Sequence, residues 1–186
     1  GCIPTKTLLH SAHLLSEARE GRKYGLAIPS ADYELAKVMA RKTKILKKLG
    51  AGIRLNLQNH GVEVVTETAH FIGKTNEGFQ IQAGEATYTA KQVILATGSQ
   101  AFVPPIPGLS EVDFWTAREA LEVSELPEEL VILGGGVIGM EFVSLFATLG
   151  VKVTVVEMLP KILGPMDSEV SEELQKSFEK RGVKFH

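Results

Sequence analysis

The chain has 186 residues, 44% hydrophobic and 23% charged, the mix of a globular chain of about one domain, or one and a piece of another. Twenty Lys and Arg against 22 Asp and Glu leave a formal charge of -2, without the basic excess expected of a nucleic-acid binder. A single cysteine excludes an internal disulfide framework and a Cys-based zinc site. The longest apolar run, residues 130–140, contains four glycines and is too short to span a bilayer, so neither nucleic acid nor membrane is an expected partner. There is no signal-peptide pattern. The chain opens on Gly1 rather than Met, which leaves a missing N-terminal stretch and a targeting segment open.

Residues 4–20 predict a helix, with Leu8, Leu9, Ala12, Leu15 and Ala18 at helical spacing and Pro4 in the first turn. A second helix is expected over about residues 33–59, with the stripe Leu35, Val38, Met39, Ile45, Leu46, Leu49, Ile53 and Leu57. Between these lie Lys37, Arg41, Lys42, Lys44, Lys47, Lys48 and Arg54. They are either a patch for a polyanion or, as such runs usually are, a solvated face. Gly50 and Gly52 are expected to weaken the middle. Strands follow at Val62, Val64 and Val65, at Phe79 and Ile81, and at Thr87 and Tyr88, with a buried fourth at Val93, Ile94 and Leu95 that ends at Thr97-Gly98. The proline-rich residues 103–108 read as a linker.

Beyond the linker, Thr116-Ala-Arg-Glu119 has capping-box form. Strand 130–133, helix 140–149 stopped by Gly150, strand 151–156, helix 168–181 with Val170, Leu174 and Phe178 on one face, and strand 183–185 complete the chain. Strands alternating with helices predict a parallel α/β sheet.

The strongest local signal is strand, G-x-G-x-x-G and helix at Leu130–Glu141, followed by a second strand with Glu157 at its end. Gly134 permits a tight turn, Gly136 lets backbone approach a pyrophosphate, and Gly139 lets helix and strand pack closely. The helix start offers free N–H groups to phosphate. Glu157 would accept from the adenosine ribose hydroxyls and repel a 2′-phosphate, favouring NAD over NADP. FAD is the alternative dinucleotide for the same fingerprint, and glycines that merely turn the chain are the plain alternative.

At the other end, Cys2 lies at a helix start, where the dipole favours a thiolate, and Lys6 follows on the same face. The residues alone allow either a reactive sulfur or an inert cysteine. His10 and His13 allow a metal pair or, more simply, a solvated face.

Gly1-Cys-Ile-Pro-Thr-Lys6, Ala96-Thr-Gly-Ser99 and Gly134-Gly-Gly-Val-Ile-Gly-Met-Glu141 resemble, in order and spacing, three motifs of the flavin-dependent pyridine nucleotide–disulfide oxidoreductases. The first is similar to the second half of a redox C-x4-C motif, the second to the segment closing on FAD, the third to the NAD turn of the branch that oxidises lipoyl dithiols. The resemblance covers essentially the whole chain and implies an internal fragment of an α/β, Rossmann-like, two-domain FAD/NAD(P)-binding flavoprotein, with two long helices before the strand region. Residues 1–110 would be a partial FAD-binding domain and 111–186 the first βαβ part of the NAD-binding domain. The upstream FAD unit, the first cysteine of the pair, the rest of the NAD domain and the dimer-forming domain with its His-Glu pair would lie outside the chain.

By this resemblance Cys2 is the flavin-proximal thiolate, with its disulfide partner preceding Gly1. Lys6 stands beside the flavin ring and Glu141 is its acidic partner near the nicotinamide. Thr97, Gly98 and Ser99 line FAD, and Ala69 touches its adenine side. Gly134, Gly135, Gly136, Val137, Ile138, Gly139, Met140 and Glu141, with Glu157, form the NAD site. The implied cofactors are FAD and NAD, and the implied reaction is oxidation of a lipoyl dithiol through a redox disulfide and FAD to NAD+. The implied partners are a lipoyl domain of a 2-oxo acid dehydrogenase or glycine cleavage complex and a second copy in a homodimeric parent. The implied compartment is cytoplasm, or mitochondrial matrix in a eukaryote. Sibling reductases of glutathione-like disulfides or mercuric ion, and a nucleotide-binding module without turnover, are the alternatives. Lys161 is the nearest cation that could serve an NADP enzyme. The fragment alone is expected to be inactive, to bind FAD poorly and to bind NAD weakly.

Overall fold

The computed structural model describes all 186 residues, Gly1–His186. Contacts divide the chain into two compact units, Gly1–Lys48 with Ile106–His186, and Leu49–Pro105. This grouping cuts across the division expected at residue 110, because the first helix packs within the later part of the chain.

In the first unit, α1 (Cys2–Glu20) begins two residues earlier than its apolar stripe predicts, so Pro4 sits inside the first turn. Leu8, Ala12 and Leu15 are buried. Thr5 and Thr7 are buried with them, their hydroxyls donating back to the carbonyls of Gly1 and Ile3, both at 2.8 Å. Helix α2 (Leu35–Asn59), of which residues 35–48 belong to this unit and the remainder to the second, runs through Gly50 and Gly52 without a break. One residue of its supposed solvated face is not solvated. Lys42 is 1% exposed, and its ammonium meets the Leu121 carbonyl at 2.5 Å and Glu122 at 2.7 Å. A local charge pattern cannot show that one lysine finds a carbonyl 79 residues away.

The short α3 (Ala117–Ala120) carries both halves of its capping box, with Thr116 and Glu119 bonded reciprocally. Three parallel strands follow in the order β4–β5–β6 by chain position: β4 (Glu129–Leu133), β5 (Lys152–Val156) and β6 (Lys184–Phe185). Helices α4 (Val137–Thr148) and α5 (Ser168–Glu179) connect them, completing two βαβ crossovers. The core gathers Leu8, Ala12 and Leu15 of α1, Val143 and Phe146 of α4, and Val153 and Val155 of β5. On α5, Phe178 and Ser171 are buried but Val170 is 58% exposed, so the face predicted for Val170 is displaced.

The second unit holds an antiparallel meander of β1 (Ala69–Thr75), β2 (Gly78–Ala83) and β3 (Ala86–Ala90). A register shift between Phe71 and Gly73 breaks the two-residue period of β1, which is why its alternation was not legible. The strands expected at Val62–Val65 and Val93–Leu95 do not form, and Ile94 and Leu95 are 92% and 81% exposed. Both stretches have strand composition. A strand also needs a partner for its ladder, and no segment of this chain pairs with them.

Candidate dinucleotide and redox site

The glycine turn is built by β4 and α4. At Gly134, φ is +105°, a conformation open to glycine and costly for side chains, and its N–H donates to the Val156 carbonyl at 2.8 Å. A Cβ on Gly139 would stand 2.2 Å from the Gly134 carbonyl oxygen, so strand end and helix approach as closely as the fingerprint requires. Gly136 caps α4 without any side-chain acceptor, and a Cβ placed there would meet nothing within 4 Å. The first N–H groups of α4, at Val137, Ile138 and Gly139, therefore have no intrahelical partner, and no acid lies in that turn to neutralise them. Val137 and Ile138 are exposed, while Met140 turns into the core. Uncapped amides beside an open glycine fit the phosphates of a dinucleotide.

Glu157 is more committed than its sequence position implied. Its carboxylate accepts the Gly135 N–H at 2.6 Å and the Leu159 N–H at 2.8 Å. These bonds, Leu159 first and then Gly135, hold its pKa below the ordinary value. It stays anionic, with lone pairs to spare for hydroxyls. The turn is gripped from a second side, since Leu163 donates its N–H to the Gly135 carbonyl at 2.8 Å with φ at +52°. The sequence held no signal for that conformation beyond the neighbouring Gly164-Pro165. Lys161 is occupied elsewhere, donating to the Met166 carbonyl at 2.6 Å and the Ser168 hydroxyl at 3.1 Å. Its ammonium is bonded away from Glu157.

The sulfur end belongs to the same unit. Cys2 is the first residue of α1, free and exposed. One turn on, Lys6 makes an ion pair with Glu141 of α4, across 135 residues of sequence. Hydrogen bonding to Glu141 raises the Lys6 pKa, so its charge is secure at neutral pH. Thus Cys2, Lys6, Glu141, the Gly134–Gly139 turn and Glu157 all lie in the first unit. The other named positions lie in the second: Ala69 pairs with Ala83 in the meander, and Thr97, Gly98 and Ser99 form exposed irregular chain with Gly98 at φ +77°. His10 is exposed, and His13 pairs with Glu17 at 3.2 Å.

A parallel sheet, an uncapped glycine turn and a strand-end carboxylate together define a dinucleotide-binding α/β class. The sequence matches the Pyridine nucleotide-disulphide oxidoreductase family over residues 1–186, and the chain belongs to that family, whose members use FAD and NAD(H). It is similar to the dihydrolipoyl dehydrogenase of Zymomonas mobilis, 36% identical over all of this chain and 40% of the relative. It is also similar to that of Acholeplasma laidlawii, 35% identical over all of this chain and 55% of the relative. Among solved structures, LpdA from Mycobacterium tuberculosis overlays with a TM-score of 0.85 at 28% identity, over 100% of this chain and 41% of that one. The HOCl-induced flavoprotein disulfide reductase RclA from Escherichia coli gives 0.80 at 30% identity, over 100% of this chain and 39% of that one. The chain thus spans about half or less of these relatives. No helix is long and apolar enough to cross a membrane.

Proposed function

We propose that this chain is the central part of an NAD-dependent dihydrolipoyl dehydrogenase, which oxidises a lipoyl dithiol and reduces NAD+. The observation that carries this reading is the Lys6–Glu141 pair, which joins the helix bearing Cys2 to the helix of the glycine turn. Residues 1–110 would serve FAD, with Thr97, Gly98, Ser99 and Ala69 against it. Residues 111–186 would hold NAD, its phosphates on the amides from Gly136 onward and its ribose on Glu157.

FAD, when bound, would carry the electron pair from sulfur to nicotinamide. Cys2 would form a disulfide with a cysteine outside these residues. A substrate thiolate attacks that bond, its second sulfur closes the substrate disulfide, and Cys2 is left as thiolate with both enzyme sulfurs reduced. Lys6 and Glu141 would hold fixed charge beside the reacting groups, which requires no reorganisation during the step. The substrate would arrive on a lipoyl domain of a 2-oxo acid dehydrogenase or glycine cleavage complex, and the parent would be a homodimer. It would work in the cytoplasm, or in the mitochondrial matrix in a eukaryote; the relative from Schizosaccharomyces pombe is named mitochondrial. The likeness to RclA supports a second reading, a flavin disulfide reductase of another substrate.

The test uses the complete polypeptide that contains this chain, purified with its flavin. Dihydrolipoamide-dependent reduction of NAD+ is expected, with Cys2→Ser lowering it by on the order of a thousandfold or more. Turnover of a disulfide with NADPH but none with dihydrolipoamide would establish the second reading. Absence of a cysteine five residues before Cys2 would leave a nucleotide-binding module.

A further inference from the structure

Resting on the dinucleotide reading, we propose that Leu163 is a positioning residue for the glycine turn, fixing through its own backbone the direction of the amide that meets phosphate. Both peptide planes flanking Gly135 are held by the segment after β5. On one side the Gly135 N–H donates to Glu157 at 2.6 Å, and on the other the Gly135 carbonyl accepts from the Leu163 N–H at 2.8 Å. In a trans peptide C=O and N–H point in opposite directions. Turning the Gly135 carbonyl toward Leu163 therefore turns the Gly136 N–H away from it, toward the open side of the turn. The same rule acts on the preceding plane. With Gly135 N–H aimed at Glu157, the Gly134 carbonyl points at α4, where it lies 2.2 Å from the place of a Gly139 Cβ.

The lock depends on an unfavourable conformation. Leu163 is the only non-glycine residue with positive φ, at +52°, and its side chain is 8% exposed. Its carbonyl accepts the Met166 N–H at 2.7 Å, and Ile162 beside it is 2% exposed against Gly135. Such strain persists only where the surroundings impose it. Here it delivers a backbone donor to the Gly135 carbonyl, and through Gly135 it would act on the dinucleotide.

Two substitutions separate this role from packing. Leu163→Gly removes the whole side chain but accepts positive φ, whereas Leu163→Val keeps apolar bulk and, being β-branched, resists it. Packing alone ranks both stability and affinity Leu, Val, Gly. The positioning role ranks NADH affinity differently. In equilibrium titrations of the complete polypeptide that contains this chain, Leu163→Gly is expected to stay within about twofold of the parent while melting earlier, and Leu163→Val to bind about fivefold more weakly or worse. The amide of residue 163 should be protected from hydrogen exchange in the parent and in Leu163→Gly, and lose protection in Leu163→Val. Affinity falling in the packing order overturns the proposal, as does a Val variant that binds and exchanges like the parent. If Leu163→Val does not fold, the Gly variant decides: retained affinity and protection support the lock, and loss of both refutes it. A complete parent polypeptide without saturable NADH binding would overturn the dinucleotide reading itself, while the exchange data would still read the lock.

Discussion

The second and third glycines of the G-x-G-x-x-G turn, Gly136 and Gly139, should fail in different ways when a methyl group is added. At Gly139 the new Cβ would sit 2.2 Å from the Gly134 carbonyl oxygen and 3.3 Å from its carbon, both backbone. Ordinary contact begins near 3.4 Å, so strand end and helix must part by about 1 Å, and no rotamer can relieve the clash. Overpacking of this kind costs about 3 kcal/mol. At a urea slope of about 2 kcal/mol per molar, that moves the midpoint down by about 1.5 M. At Gly136 the Cβ meets nothing within 4 Å, and φ of -73° suits any residue. Gly136→Ala should therefore hold its urea midpoint within about 0.3 M. Its methyl would instead stand where the pyrophosphate approaches, lowering NADH affinity by about tenfold or more. Trp115 is the only tryptophan, with its ring centroid 6.4 Å from that of Phe146 on α4, so its fluorescence reports the unit in question. Equal loss of stability in both variants, or Gly136→Ala binding NADH as the parent does, would refute the assignment of one glycine to packing and the other to ligand.

Glu157 should make acid stability pH-dependent. Its folded pKa is depressed by the Leu159 and Gly135 amides, so its contribution is present above the unfolded value of about 4.3 and fades as pH falls through the lower folded value. Glu157→Gln should flatten the unfolding midpoint below about pH 4.5 relative to the parent, and identical slopes would count against the two bonds. Lys42 should be needed for docking α2, because its ammonium is bonded to Leu121 and Glu122 in a site 1% exposed. Lys42→Ala should cost about 3 kcal/mol in urea unfolding and Glu122→Gln less than about 1, since that carboxylate is 65% exposed. Equal costs would show that the carboxylate, not the carbonyl, holds the lysine.

The parallel half of the fold was legible because each of its elements carries its own punctuation. Glycines at 134, 136, 139 and 150 and the Thr116–Glu119 box mark boundaries by local chemistry that tertiary context did not override. The second half was less legible for the converse reason. Val93, Ile94 and Leu95 announce a strand through composition, but pairing is a long-range property and these residues have no neighbour to pair with. The site divides the same way. Spacing could place Gly136 and Glu157 at a turn and a strand end. It could not show that Glu157 would spend both oxygens on backbone amides, or that Leu163 would be forced to positive φ to complete the grip.

The Lys6–Glu141 pair is the long-range contact that most needs a reason. Its side chains are 64% and 31% exposed, and pairs so exposed to water add little stability. Nor is it needed to seat α1 on α4. Leu8, Ala12 and Leu15 already share a core with Phe142, Leu145 and Phe146. The far end of α4 is tied down by Arg19 donating to the Thr148 carbonyl at 2.9 Å and the Tyr33 hydroxyl donating to the Leu149 carbonyl at 2.7 Å. Burial raises the Tyr33 pKa and so keeps that donor protonated. With docking supplied by apolar packing and by these two donors, the task the proposed redox reading gives the ion pair is electrostatic. It sets a cation and a carboxylate where the helix that begins at Cys2 meets the helix that begins at the glycine turn, and the redox reading gives that charge something to act on.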